Sequence, residues 1–413
     1  MMNSLFAGID VSAKSNVVYL MKSDGSKHSS FSVQNNHPGA IMLSNKVCSV
    51  MLNERFDNVV LGLESTSVYG DNLVTFLRED HALSRFEKKI HVLNAKQVSK
   101  FKGAYSDLPK NDFVDAFVIA DNLRFGRITS EVYMDDYRYK ALQNLTRARY
   151  FAVQNLTKEK QRFLNFLFLK FSELAAPAGD KVFSDTFGAT SLAVIEEFDD
   201  IEEIAYMPLD KLIEFIKEKG KNRFTNPEAT AKALQAAACG SYRLPKTVND
   251  SVNQVLSIQI SSIRALEAQI KAFDRAIGEQ IKLIPNTIES IPGIGPVFSA
   301  GIIAEIGDIN RFDNQASVAK YAGLVWSQYQ SGSFEAENTR LIKSGNRYLR
   351  YYLIEAADSV RKRISEYADF YNLKYHEVNK YQHRRALVLT ARKLVRLVYA
   401  LLKTNRLYTP PGK

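Results

Sequence analysis

The chain has 413 residues, 46% hydrophobic and 24% charged, enough for two or three domains with full cores and ordinary for a globular protein in water. No apolar run approaches the ~20 residues needed to cross a bilayer and the start, Met1-Met2-Asn3-Ser4, lacks a signal-peptide pattern, so no membrane partner is expected and the cytoplasm is the default location. The net charge of +10 is confined to one end: residues 340–413 carry 17 Lys or Arg against 5 Asp or Glu, which points to a polyanion-binding surface there.

In chain order, Phe6 to Val11, Asn16 to Leu20 and Ser29 to Val33 read as strands so closely spaced that they form an antiparallel meander. Residues 38–54 have a helical pattern, and 58–64 form a continuous apolar strand of the kind covered on both faces. A helix over Tyr69 to Arg78, a strand at Lys89 to Leu93 and a helix from Asn111 to about Arg124 complete an α/β domain with a mixed sheet, placed at residues 1–130. Residues 131–173 and 250–283 carry apolar residues at three- and four-residue steps, from Leu142 to Leu167 and from Val255 to Ile277. Each reads as a long amphipathic helix, suited to an antiparallel coiled coil, to another subunit, or to plain packing within the chain. Between them, residues 174–249 read as short helices broken by Pro and Gly. The two cysteines, Cys48 and Cys239, match no metal-ligand spacing and read as buried thiols in a reducing compartment.

The last unit, residues 284–413, opens with Ile291-Pro292-Gly293-Ile294-Gly295-Pro296 ahead of a helical run to Ile306. This pattern is that of a helix-hairpin-helix, in which Gly293 and Gly295 would offer backbone N–H groups to a DNA phosphate. After a loop at 326–344, helices carry the basic excess. Tyr348, Tyr351, Tyr352, Tyr371, Tyr375 and Tyr381 interleave there with Arg347, Arg350, Lys374, Lys380, Arg384 and Arg385, a mixture that suits nucleic-acid backbones and unpaired bases or, for many of the tyrosines, a core.

The chemistry concentrates in four acids. Asp10 and Glu64 each end an apolar strand, and Asp112 and Asp115 share one face of a helix start. Singly, each could open a turn or favour a helix N-terminus. Together they suit hard divalent cations, Mg²⁺ or Mn²⁺, of which a pair about 4 Å apart can activate the attacking oxygen and stabilise the leaving oxygen of a phosphodiester.

The segments Ala7-Gly8-Ile9-Asp10-Val11-Ser12, Gly62-Leu63-Glu64-Ser65-Thr66 and Lys110-Asn111-Asp112-Phe113-Val114-Asp115-Ala116 resemble the signatures of the DEDD transposases, the insertion-sequence-110 recombinases and the related Piv-type DNA invertases. Val92 to Val98 matches that family's strand before the acidic helix. The C-terminal transposase domain of the family is resembled by Ile291 to Gly295, Ala304 to Asp308, Tyr321 to Leu324, Gln330-Ser331-Gly332 and Lys343 to Arg350, the last placing Lys343, Asn346, Arg347 and Arg350 at a nucleic-acid surface. The resemblance implies a RuvC-like (RNase H-like) N-terminal domain and a serine nucleophile at Ser331. It also implies target and donor DNA as substrates and a bridge-type noncoding RNA as guide, in a bacterial or archaeal, nucleoid-associated setting. Synapsis of two duplexes adds the expectation of a homodimer or homotetramer. A Piv-like invertase and a RuvC-like junction nuclease that needs only the four carboxylates are the alternatives. Ser327, Ser333 and Ser344 compete with Ser331 on residue chemistry alone; a free hydroxyl of any of them needs activation. Trp326 stands where the family usually has proline, and Asn111 where it usually has threonine, which can equally cap a helix.

Overall fold

A computed structural model describes residues 3–64, 68–105, 108–109, 111–126, 137–326 and 341–410, together with the backbone of 330–331 and 334–335. The chain divides into two compact units, Met1–Asp135 and Asp136–Lys413.

The first unit runs β1 (Ser4–Val11), β2 (Ser15–Met21), β3 (Lys27–Gln34), α1 (His37–Asn53), β4 (Asn58–Glu64), α2 (Asp71–Glu79), β5 (Glu87–Leu93), α3 (Ala95–Lys102) and α4 (Asp112–Phe125). The sheet order is β3-β2-β1-β4-β5. The β1–β2 and β2–β3 pairs are antiparallel, as short connections require, whereas β1–β4 and β4–β5 are parallel. The meander and mixed sheet expected from the sequence are therefore present, and the arrangement is consistent with a RuvC-like domain. Leu5, Ala7 and Ile9 face a core shared with Leu43 and Val47 of α1 and Leu73 and Leu77 of α2. Phe6 and Val60 point the other way, toward Val118, Ile119 and Leu123 of α4. With both faces covered, the central strands β1 and β4 are apolar over most of their length, whereas the edge strands β3 and β5 carry polar residues.

One boundary differs from the sequence reading. The segment from Val92 to Val98 is not one strand: β5 ends at Leu93, and the Asn94 side chain accepts from the Lys96 N–H (2.9 Å) to cap α3.

The second unit is almost wholly helical. It comprises α5 (Tyr137–Lys170), α6 (Ser172–Ala175), α7 (Ala189–Glu197), α8 (Ile201–Tyr206), α9 (Leu209–Lys219), α10 (Pro227–Gly240), α11 (Lys246–Ile281), α12 (Pro296–Ile306) and α13 (Gln315–Ala322). Four two-residue strands follow, β6 (Val325–Trp326), β7 (Gln330–Ser331), β8 (Phe334–Glu335) and β9 (Leu341–Ile342), then α14 (Arg347–Val360), α15 (Ser365–His376) and α16 (Gln382–Thr404).

The long helices α5 and α11 pack on each other within the chain and run antiparallel. Lys160 pairs with Glu267 (2.8 Å), Arg149 with Asp274, and Arg138 donates to the Leu283 carbonyl (2.6 Å). One end of the pair shares a core with α7 to α10, through Phe163, Leu167, Leu256 and Ile260. The other end, with Leu142 and Ile277, joins the core of α12, α13, α14 and α16.

Cys239 is exposed near the end of α10 and Cys48 is half-buried, both as free thiols, so the expectation of two buried thiols is corrected. Among the described residues no helix is long and apolar enough to cross a membrane.

Candidate active site

Strand period and helix packing bring the four acids toward one another. Side chains alternate along a strand, so Asp10 and Glu64 emerge on the same sheet face as Gly8 and Gly62, the face covered by α4. The parallel register Ile9 to Leu63 sets Asp10 and Glu64 at neighbouring carboxyl ends of β1 and β4, the edge where open α/β sheets place their ligands. The Asn111 side chain caps α4 by accepting from the Val114 N–H (2.9 Å), which starts the helix at Asp112 and leaves Asp115 one turn on.

The electrostatics report how close these groups come. Asp10 is half-buried, and its pKa is pushed up to about 6, first by desolvation, then by the negative charges of Asp115 and Asp112. Glu64 is also raised, first by burial and then by Asp10 and Asp115. Lys102 of α3 donates to Asp115 Oδ1 at 2.6 Å and partly offsets the charge on both Asp10 and Glu64. The sequence reading did not single out Lys102. One basic residue among several on α3 carries no signal of its own, and its role follows from α3 packing beside α4.

The donor chemistry fits a hard cation. Every acid offers oxygen donors, and the raised pKa of Asp10, caused first by burial and then by the charges of Asp115 and Asp112, is only partly offset by Lys102. Among the described residues, no three Asp, Glu, His or Cys side chains already surround a common point, so the carboxylates are grouped without being closed into a cage.

In the second unit, β6 pairs antiparallel with β9 (Val325 with Ile342, Trp326 with Leu341), and β7 pairs with β8 (Ser331 with Phe334). Ser331 thus lies in a short antiparallel pair that the β6–β9 pair brackets in the sequence. The side chain of Ser331, and the residues Ser327, Gly332 and Ser333, lie outside the described residues, as do Ser65, Thr66 and Lys110 of the N-terminal motifs.

The base of the hairpin is tightly held. Asn346 N–H donates to the Tyr321 carbonyl (2.6 Å), and Arg350 Nη1 donates to the Ala322 carbonyl (2.9 Å). A Cβ on Gly345 would stand 2.4 Å from the Gly323 nitrogen, so the two motif segments can meet only with glycine there. The Asn346 side chain caps α14, its Oδ1 accepting from the N–H groups of Tyr348 and Leu349 (3.0 Å each). Its Nδ2 donates to Glu305 Oε2 (2.7 Å).

Glu305 is 2% exposed and takes a two-pronged bond from Arg147 of α5, at 2.7 and 2.9 Å. The sequence did contain a signal for this. A lone acid in Pro296–Ile306, a helix apolar nearly all round, must be buried and therefore paired.

Of the other residues assigned to a nucleic-acid surface, Lys343 and Arg347 are exposed and Arg350 is partly buried. Gly293 packs against α14, where a Cβ would approach the Ser359 carbonyl to 2.9 Å, while Gly295 is exposed. A 3₁₀ turn, Ile288–Ser290, precedes this glycine turn. Tyr352 and Tyr371 are core residues and Tyr381 is 79% exposed, so the interleaved tyrosines divide between the two roles.

An α/β domain with two acids at the ends of β1 and β4 and two more in the first turn of α4, joined to a helical unit with a basic end, fits a class of enzymes that act on DNA strands. Residues 7–171 match the DEDD transposase family of the IS110 type, and residues 286–372 match the transposase IS116/IS110/IS902 family. The chain is 28% identical to a 44.8 kDa protein of insertion element IS116 from Streptomyces clavuligerus, over 76% of each chain. It is also 28% identical to the transposase for insertion sequence element IS1111A of Coxiella burnetii, over 35% of this chain and 43% of that one. A pilin gene-inverting protein of Moraxella bovis matches at 28% over 37% of this chain and 51% of its own. The chain belongs to the IS110 family of DEDD transposases, and is a DNA transposase or recombinase.

Proposed function

We propose that the protein exchanges DNA strands by metal-assisted attack of Ser331 on a phosphodiester, guided by a structured noncoding RNA that pairs with target and donor DNA. The observation that supports the acidic half of this reading is that burial and neighbouring carboxylates raise the pKa of Asp10, through Asp115 and Asp112, and of Glu64, through Asp10 and Asp115. These four residues would hold Mg²⁺ or Mn²⁺. The bound metal would supply Lewis-acid activation of the attacking oxygen and charge stabilisation of the leaving one.

The chain's own groups do the rest. The Ser331 oxygen forms a P–O bond while the strand's own P–O ester bond breaks, and the proton that the hydroxyl gives up ends on the leaving deoxyribose oxygen as a free DNA hydroxyl. One phosphoester replaces another, so the phosphoserine–DNA link keeps the energy needed for rejoining. The clamp of Tyr321, Gly323, Gly345 and Asn346 limits the freedom of the hairpin base, which lowers the entropy cost of presenting the hydroxyl. Lys343 and Arg347, exposed beside that base, suit strand phosphates. Two DNA ends must be held at once, which favours a homodimer or homotetramer, checked by light scattering of the nucleic-acid complex.

Ser331→Ala should abolish both strand exchange and any detergent-resistant protein–DNA adduct. Cleavage surviving that substitution would support the hydrolytic junction nuclease instead. Sequencing the RNA that co-purifies with the protein should yield one discrete species encoded beside its gene. A random RNA population would remove the guide from the proposal. The pilin gene-inverting relative favours, as a second reading, inversion of a flanked DNA segment by the same chemistry.

A further inference from the structure

We infer that Phe151, Tyr348 and Arg347 form a stacking platform for an unpaired base of the DNA strand presented to the Ser331 hairpin, an inference that rests on the strand-exchange reading above.

Phe151 lies on α5 and is 46% exposed, although the helix passes α14 at this level. Its ring stands edge-on to Tyr348, with centroids 6.0 Å apart. Tyr150 wedges behind both, 5.2 Å from Tyr348 and 4.9 Å from Tyr351. The Arg347 guanidinium lies 5.4 Å from the Phe151 ring and 4.8 Å from the Tyr348 ring, and its Nη2 donates to the Tyr348 hydroxyl at 2.7 Å. On the inner side, Arg147 lies 4.6 Å from Tyr348 and is itself fixed by buried Glu305. The array is thus anchored from within and open at Phe151 and Arg347.

The surrounding charge selects the ligand. Residues 137–151 and 340–351 contain eight Lys or Arg and no Asp or Glu. Arg147 is matched by Glu305 and Arg149 by Asp274, while Lys343 and Arg347 are exposed. A polyanion answers these exposed cations, and a planar base answers an exposed ring edged by a guanidinium. A duplex hides its base faces in its own stack, so only an unpaired nucleotide can use Phe151. An acidic peptide would meet the cations and leave the ring unfilled. Arg347 begins α14 only five residues after β9 closes the base of the hairpin, so the strand reaching the platform is the one Ser331 would attack, which is DNA.

The test uses the full chain without divalent metal, with fluorescein-labelled oligothymidylate, an RNA of matching sequence and a DNA duplex of the same length, read by anisotropy. Phe151→Ala should weaken single-stranded DNA binding by about tenfold and leave duplex binding unchanged. Phe151→Trp should retain wild-type affinity. Arg347→Lys should weaken single-strand binding despite keeping its charge. A 2-aminopurine base in the strand should be quenched by the wild type and not by Phe151→Ala. Wild-type single-strand affinity in Phe151→Ala, an equal loss for duplex and single strand, or a loss confined to RNA would each overturn the inference. The binding readout needs neither metal nor Ser331, so failure of the strand-exchange chemistry is seen separately, in the adduct formed by wild type and Ser331→Ala.

Discussion

Gly8 and Gly62 stand side by side in the parallel ladder of β1 and β4, and α4 lies across both. A Cβ on Gly8 would come 2.1 Å from the Ala116 carbonyl oxygen and 2.4 Å from the Ala120 nitrogen; one on Gly62 would meet the Leu123 side chain at 2.8 Å. The absence of two side chains lets the helix settle close to the sheet. Its first turn then carries Asp112 and Asp115 toward Asp10 and Glu64, each two residues beyond its glycine. Packing and site geometry are the same fact here: the glycines in the motifs are there for α4, and the acids depend on where α4 lies.

The two glycines should respond unequally to alanine. At Gly8 the obstruction is backbone, which can move only with the whole helix, so Gly8→Ala should cost roughly 3 kcal/mol and depress strand cleavage even where the protein remains folded. At Gly62 the obstruction is the end of a leucine, which can turn aside, and the cost should be about 1 kcal/mol. Urea unfolding of both variants beside a cleavage assay checks this. Equal losses would show that α4 does not rest on Gly8 as described.

Asp10→Asn should separate stability from function. The wild-type carboxylate is held near pKa 6 by burial and by Asp115 and Asp112, so at neutral pH its charge opposes folding when no cation is bound. Removing that charge should raise metal-free stability by on the order of 1 kcal/mol, since the half-buried group is partly screened by solvent. The wild type should be stabilised by Mg²⁺ in a thermal melt, and the same variant should lose both that stabilisation and strand cleavage. Thermal melts with and without Mg²⁺ measure both effects, and a metal-free melting point lower than wild type would contradict the arrangement.

The acidic site was legible in the sequence because its supports are local. Val59 to Glu64 is an apolar run with one polar residue at its end, and Asn111 is a cap followed by acids in the first turn. What escaped was tertiary. Nothing in the run Lys96, Lys100, Lys102 distinguishes the residue that reaches Asp115, because that choice is made by how α3 lies on α4. The apolar stripe of α5 was plain, while its partner was open until α11 was found along it within the same chain. The strands flanking Ser331 are two residues long, too short to show an alternation. Glu305 was readable as a buried acid, yet Arg147 and Asn346 lie far from it in the chain.

Lys170 supplies a pH-dependent term. It is 3% exposed at the end of α5, where Nζ donates to the carbonyls of Ile195 (2.9 Å) and Phe198 (2.6 Å) and so closes the C-terminus of α7. Burial lowers its pKa to about 8, against the partial opposition of Asp199, Glu203 and Asp200. Below pH 8 both folded and unfolded chains hold the proton, and this group contributes least to stability. Between pH 8 and the ordinary lysine value the unfolded chain binds more protons than the folded one, so stability rises with pH. From pH 7.5 to 9.5 the wild type should gain up to about 2 kcal/mol relative to Lys170→Met, measured by urea unfolding of the pair across that range. A constant difference between them would mean that the buried amine does not titrate there.

The Glu305 centre ties three distant segments together, α5 through Arg147, α12 through Glu305 itself, and the start of α14 through Asn346. Glu305→Gln keeps the shape and one acceptor but leaves a guanidinium without its counter-charge. The loss should be roughly 3 kcal/mol, at the low end for a buried pair because Arg147 is one-third exposed along its side chain. Asn346 would lose its charged acceptor as well, loosening the hairpin base that carries Ser331. Cleavage should therefore fall further than the folded fraction does. Replacing both partners, Arg147→Met with Glu305→Leu, should recover much of the stability, since no unpaired charge remains buried. It should not recover cleavage, because Asn346 still lacks the carboxylate and keeps only its longer bond to the Tyr321 hydroxyl (3.2 Å). A double variant that regained both would show that the hairpin base is positioned by packing alone.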